Sequence, residues 1–272
     1  MVEREHARAL LSDMGLTMSA HLLDAQVERS TEGHHTYVQF LNELLSSEKQ
    51  ERDRRNLEYR IGRAHLPYVR RIEEYDFDFQ PSIDRRLIDE LATTAFAQRG
   101  ENVVLLGPPG VGKTHLAVGL AMRALDAGMS VNFTTLAHMI TDLERSASHG
   151  TITRRWSSYR NPSLLIIDEV GYMQLNRSQA EILFRIVADR YERGSIIFTS
   201  NKYFSNWGEL LSDSVIATAL LDRLLHHAHV INIRGQSYRL KDRLETGAFS
   251  PAVSSPGGKE TGAQEPGDFG HF

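Results

Sequence analysis

Apolar residues recur at helical spacing through the first quarter of the chain: Leu22, Leu23 and Val27, then Tyr37, Phe40, Leu41, Leu44 and Leu45, with a polar turn at 30–35 between them. Positions three and four apart share one face of a helix. Residues 17 to about 72 are therefore expected to form a small all-helical unit whose last helix runs over 49–71. Beyond it, Glu73-Glu74-Tyr75-Asp76-Phe77-Asp78-Phe79-Gln80-Pro81 has no helical period and ends in proline, and reads as an extended linker. From 99 to about 244 the pattern changes again. Short continuous apolar runs at 103–106, 131–133, 164–167, 196–198 and 230–233 alternate with amphipathic stretches near 114–127, 135–147, 178–193 and 214–227. Apolar strands separated by helices predict an α/β domain built on a parallel sheet with helices on both faces. The expected division is a helical domain at 1–72, a linker and lead-in helix at 73–98, the α/β domain at 99–246 and a tail at 247–272. That tail is rich in proline and glycine and almost free of aliphatics, so it is expected to be disordered.

The 272 residues, 41% of them hydrophobic, suffice for one large or two modest cores. The absence of cysteine removes disulfides, thiolate nucleophiles and Cys-based metal sites, and fits a reducing compartment. No apolar run approaches the length of a membrane span, so a cytoplasmic protein with no membrane partner is expected.

One strand–helix junction carries chemistry. Gly107-Pro108-Pro109-Gly110-Val111-Gly112-Lys113-Thr114 follows the strand at 103–106 and opens the helix that begins His115-Leu116-Ala117. In that context it reads as a P-loop, whose backbone N–H groups and helix N-terminus face phosphate oxygens. Lys113 is placed to reach the β- and γ-phosphates and Thr114 to ligate Mg²⁺. The strand at 164–167 ends in Asp168 and Glu169, 55 positions after Lys113. Asp168 suits the Mg²⁺ shell, and Glu169 suits orienting and deprotonating an attacking water. That second acid favours hydrolysis of ATP over phosphoryl transfer to a small acceptor. Asn201, closing Thr199-Ser200-Asn201, either reaches the γ-phosphate or closes a turn. Arg223 projects about 140° from the apolar stripe 217, 220, 221, 224 and 225, and on that geometry alone reads as a solvated arginine. His226, His227 and His229, with His34 and His35, lack acids at ligand spacing and read as surface residues.

In order, residues 107–114 and 164–169, then Thr199-Ser200-Asn201, Leu221-Asp222-Arg223-Leu224 and Ser237-Tyr238-Arg239, behind a short helical domain, resemble the IstB-like ATP-binding proteins. These are AAA+ helper ATPases of insertion-sequence transposition and are similar to the DnaC-type helicase loaders. The resemblance covers roughly residues 10–245. It implies an AAA+ P-loop fold and a nucleotide cradle of Gly107, Pro108, Pro109, Gly110, Val111, Gly112, Lys113, Thr114 and His115. It further implies Asn201 as sensor 1, Arg223 as an arginine finger reaching the neighbouring subunit's γ-phosphate, and Arg239 as a sensor-2-like arginine. The implied assembly is a homo-oligomer with ATP sites between subunits, acting on double-stranded DNA and recruiting and stimulating a transposase. A replicative-helicase loader is the alternative.

A formal charge of −4 argues on its face against nucleic acid, yet it averages opposed segments. Residues 49–71 hold eight basic side chains against three acids, whereas 72–101 hold eight acids against three arginines. The stretch 145–160 contains Arg145, Arg154, Arg155 and Arg160 and no acid, with Trp156 and Tyr159 interleaved. The arginines are expected to bind DNA phosphates without reading sequence, and the aromatics to pack against the nucleic acid.

Overall fold

The computed structural model describes residues 2–238; Arg239 and the tail expected from 247 lie outside them. Three helices open the chain, α1 (Val2–Asp13), α2 (Thr17–Glu32) and α3 (Tyr37–Arg63). A small core of Ala20, Leu23 and Leu44 joins α2 to α3. No side-chain oxygen from its own N-cap, Leu16, satisfies the start of α2. The buried Glu48 carboxylate of α3 does so instead, accepting the Ser19 N–H at 2.9 Å, while the Ser19 hydroxyl donates to the Leu44 carbonyl. A carboxylate at a helix N-terminus meets both its orphan donors and its dipole, which sets how the two helices align.

The expected helix over 49–71 is the second half of α3, and it stops eight residues early, at Arg63. Pro67 disfavours helical backbone at the residue before it, and His65 has already turned to φ +55. The end of α3 belongs to the next domain. Leu57, Ile61 and Ala64 join its core, Arg60 Nε donates to the Leu125 carbonyl (3.1 Å), and the Ala64 carbonyl accepts from the Phe133 N–H (2.8 Å).

The stretch read as a linker is packed. After a 3₁₀ turn (Ile72–Glu74), Ile72, Tyr75 and Ile83 are buried in the same core. Then follow α4 (Arg85–Ala92), α5 (Ala95–Gln98), β1 (Asn102–Leu106), α6 (Lys113–Asp126), β2 (Val131–Thr135), α7 (Leu136–Ser148), α8 (Ile152–Arg160), β3 (Leu164–Val170), α9 (Arg177–Arg190), β4 (Ser195–Ser200), α10 (Trp207–Leu210), α11 (Ser214–Leu225) and β5 (Ala228–Asn232). Among the described residues, five strands form one parallel sheet in the order β2-β3-β4-β1-β5. Alternate residues feed opposite faces: Val103, Leu105, Ile166 and Ile197 enter a core with α6, and Val104, Leu106, Ile167 and Phe198 a second core with α7, α9 and α11. Burial on both faces explains why these strands read as unbroken apolar runs. Among the described residues no helix is long and apolar enough to cross a membrane.

Candidate active site

Strand order creates the site. With β4 between β1 and β3, the carboxyl ends of all three meet at one edge, where ligands of open α/β sheets bind. The loop after β1 turns at Gly110 (φ +83) and Gly112 (φ +96), a region that L side chains rarely adopt. A Cβ on Gly112 would also stand 2.5 Å from the Tyr75 ring. Gly112 caps α6 and provides no side-chain acceptor, whereas Thr36, Asp84, Thr135, Asn176 and Asp213 cap α3, α4, α7, α9 and α11 through their side chains. The first N–H donors of α6 are thus left facing the loop, as phosphate binding requires.

Lys113 is buried, its Nζ donating to the Gly107 and Pro108 carbonyls at 2.7 and 2.8 Å. Thr114 Oγ1 donates to the Asp168 carboxylate, 3.1 Å from each oxygen. A hydroxyl and a nearly buried carboxylate so close are hard oxygen donors that fit Mg²⁺, which Thr114 and Asp168 would hold. Glu169 departs from strand geometry at φ +61, and its side chain is exposed. Asn201 Oδ1 is buried beside Gly171 and finds no hydrogen-bond partner among the described residues.

Gly110, Val111, Gly112, Lys113, Thr114 and His115 line a cleft of about 210 Å³ together with Asp168 and Glu169. His115 sits against Tyr75 with its Nε2 3.2 Å from the Arg71 carbonyl. Gly107 and Pro108 join through Lys113; Pro109 is not among the lining residues. Sequence reasoning missed a second layer, formed by Tyr75, Gln80, Thr199 and Tyr238. The Tyr75 hydroxyl donates to the Val111 carbonyl (2.9 Å), and burial, with Asp76 adding to it, pushes its phenol well above the usual range. Gln80 Nε2 donates to the Gln236 carbonyl (2.8 Å), and the Tyr238 N–H donates to the Gly110 carbonyl (2.9 Å). Segments 75–82 and 234–238 therefore strap the P-loop. The alternating aromatic and acidic residues at 75–79 were the available signal.

Arg223 is not among the lining residues. Half-buried rather than solvated, it lies over the Phe184 ring (4.9 Å) with Nη1 donating to the Ala219 carbonyl. Glu192, His226 and His227, all exposed, bring one ligand atom each within 4.8 Å of one another, so an acid does accompany the histidines; His34 and His35 take no part.

A second, larger cleft of about 960 Å³ lies where α3 meets α8 at the β2 edge. Its lining includes Arg60, Arg63, His65, Arg154 and Arg155. The two basic segments of the sequence thus form one surface, although Arg145 and Arg160 do not line it. Arg154 is exposed, whereas Arg155 pairs with Asp142 (2.9 Å). The interleaved aromatics do not face this cleft as expected. Trp156 Nε1 donates to Asp189 (2.7 Å) under the Arg185 guanidinium, and buried Tyr159 donates to Asp142 (2.6 Å). On an amphipathic helix the apolar side chains are claimed by the core first. Buried Arg190 anchors the end of α8, donating to the carbonyls of Tyr159, Arg160, Ser163 and Ser195; burial holds its pKa down at about 10.

A parallel sheet in this order, a P-loop after β1 and an Asp-Glu pair at the end of β3 define a P-loop ATPase of the AAA+ type. Residues 9–246 match the sequence profile of the IstB-like ATP-binding proteins, and the chain belongs to that family. It is 44% identical to the insertion sequence IS21 ATP-binding protein of Pseudomonas aeruginosa, over 89% of this chain and 91% of that protein. Against the IS5376 counterpart of Geobacillus stearothermophilus the identity is 42%, over 84% and 91%. In fold alone it is similar to AMPPCP-bound DnaA from Aquifex aeolicus, with a TM-score of 0.52 and 20% identity, covering 70% of this chain and 59% of that one.

Proposed function

We propose that this ATPase assembles on double-stranded DNA and there recruits and stimulates the transposase of an insertion sequence. The observation that carries the DNA half of this reading is the composite cleft, where Arg60 and Arg63 of α3 and Arg154 and Arg155 of α8 converge. Convergent guanidinium groups suit a phosphate backbone and discriminate little between sequences. The relatives, ATP-binding proteins of insertion sequences, favour transposition over helicase loading. ATP occupies the strapped cleft in this reading. The α6 N-terminus and Lys113 bind its phosphates, Asn201 is assigned the sensor 1 role, and Glu169 removes the attacking water's proton. Thr114 and Asp168 would hold Mg²⁺, which when bound would offset negative charge on the phosphate oxygens. Arg223 completes the site of a neighbouring subunit; Arg239 is assigned the sensor-2 role. Such division makes hydrolysis depend on assembly.

Duplex binding followed by fluorescence anisotropy through a salt titration tests the reading. Replacing Arg60, Arg63 and Arg154 by Ala is expected to weaken binding and to flatten log K against log salt by about 0.9 per lost phosphate contact. An unchanged slope removes the cleft from the account. Co-purification with a helicase instead of a transposase would overturn the partner assignment.

A further inference from the structure

Consecutive residues of a strand point to opposite faces, yet Asp168 and Glu169 line the same cleft. The register shows how. Ile167 pairs with Phe198 and Val170 with Ser200, so two residues of β3, Asp168 and Glu169, stand opposite one residue of β4, Thr199. This is a β-bulge, with Glu169 in left-handed backbone at φ +61, and bulges re-aim side chains. A left-handed non-glycine residue persists only where its surroundings hold it.

We propose that the Thr199 hydroxyl is what holds the bulge, making Thr199 a positioning residue for the hydrolytic carboxylate. The side chain is fully buried between the P-loop strand and the Asp-Glu strand. Its single hydroxyl hydrogen goes to Asp168 Oδ1, and its oxygen accepts the Glu169 N–H at 3.1 Å. One donor and two lone pairs let a hydroxyl do both at once; valine, of the same shape, can do neither. Asp168 Oδ1 also receives Thr114, so Thr199 ties the backbone of Glu169 to the carboxylate that would hold Mg²⁺. The bulge would thereby keep the general base in register with the cation site. This role rests on reading Glu169 as the general base.

The test compares Thr199→Val, Thr199→Ser, Glu169→Gln and the Thr199→Val/Glu169→Gln double variant in the full-length chain. Thr199→Val is expected to lower kcat about 10–100-fold, the usual cost of an outer-shell partner. Affinity for a fluorescent ATP analogue should change by less than about twofold, the pattern of a transition-state loss. Thr199→Ser should restore most of the turnover. The double variant should be no slower than Glu169→Gln, because two residues acting through one group are not additive. Amide hydrogen exchange at Glu169, measured without nucleotide, should quicken in Thr199→Val and not in Thr199→Ser. Wild-type turnover in Thr199→Val, losses that multiply in the double variant, or unchanged exchange at Glu169 would each overturn the proposal. Full turnover by Glu169→Gln would remove the general-base reading alone, and the exchange result would still decide whether Thr199 holds the bulge.

Discussion

The sheet domain and the amino-terminal helices are held together in different ways. Strands β1, β3 and β4 are buried on both faces, and their side chains divide between two large apolar cores. The helical unit has a core of three small or medium side chains, and its interior also contains Ser19, Gln26 and Glu48, while Tyr37, Val38, Leu41 and Leu45 stay exposed on α3. Apolar burial is non-directional and scales with area. The sheet can therefore bear strained backbone at its rim, as at Glu169. The helices depend on a few directional bonds and on the docking of α3 against the sheet.

Four measurements can break or sharpen this contrast. Lys113→Ala should leave the sheet folded and cost nucleotide affinity on the order of 10²–10³-fold, read by titration with a fluorescent analogue. A folded variant that binds normally would mean the Nζ contacts to Gly107 and Pro108 are its whole role. Arg190→Met leaves the carbonyls of Tyr159, Arg160, Ser163 and Ser195 without this donor. It should destabilise the sheet domain by about 3 kcal/mol in urea unfolding and, by loosening α8, weaken the duplex binding proposed for its cleft. Should duplex binding survive, α8 is positioned by its apolar face instead. Glu48→Ala removes the acceptor at the start of α2, at a cost of about 1–2 kcal/mol. The loss should appear as an early helical transition by circular dichroism, with ATP affinity intact; a single cooperative shift would show that helices and sheet unfold as one.

The smallest effect concerns pH. A hydrogen bond from Arg99, then one from His229, holds the Glu101 carboxyl down at about 2, against an ordinary 4.5. The ionised form therefore favours the fold. Its contribution is complete above pH 4.5 and is lost as pH falls toward 2. Glu101→Gln should lower stability at pH 7 by about 0.5 kcal/mol, as for a mostly solvated pair, and the difference from wild type should vanish near pH 2. A difference that persists at pH 2 would assign the effect to packing.

Among the described residues, local pattern located the strands to within two or three residues, because a strand buried on both faces must be apolar throughout. It located the P-loop as well, since phosphate binding needs glycine backbone, a lysine and a hydroxyl within eight consecutive positions. The ends of helices were harder to read. Pro67 and the turn at His65 stop α3 at Arg63, and α8 was not anticipated because its inward face rests on Trp156 and Tyr159 rather than on an aliphatic stripe. The segment at 72–83 has no period of its own because its side chains answer to the P-loop and to 234–238.

What local sequence determines here is therefore the chemistry carried by contiguous residues: the glycine-rich loop, the Asp-Glu pair and the basic segments. Sheet order decides the rest. Only the insertion of β4 between β1 and β3 sets Thr199 against Asp168 and Glu169, which lie some thirty positions away. Likewise, only the docking of α3 beside the β2 edge brings Arg60 and Arg63 to the same cleft as Arg154 and Arg155. Hydrogen bonds and charge pairs act over a few ångströms, so residues distant in sequence acquire a joint role only when the packed core fixes which strands and helices are neighbours.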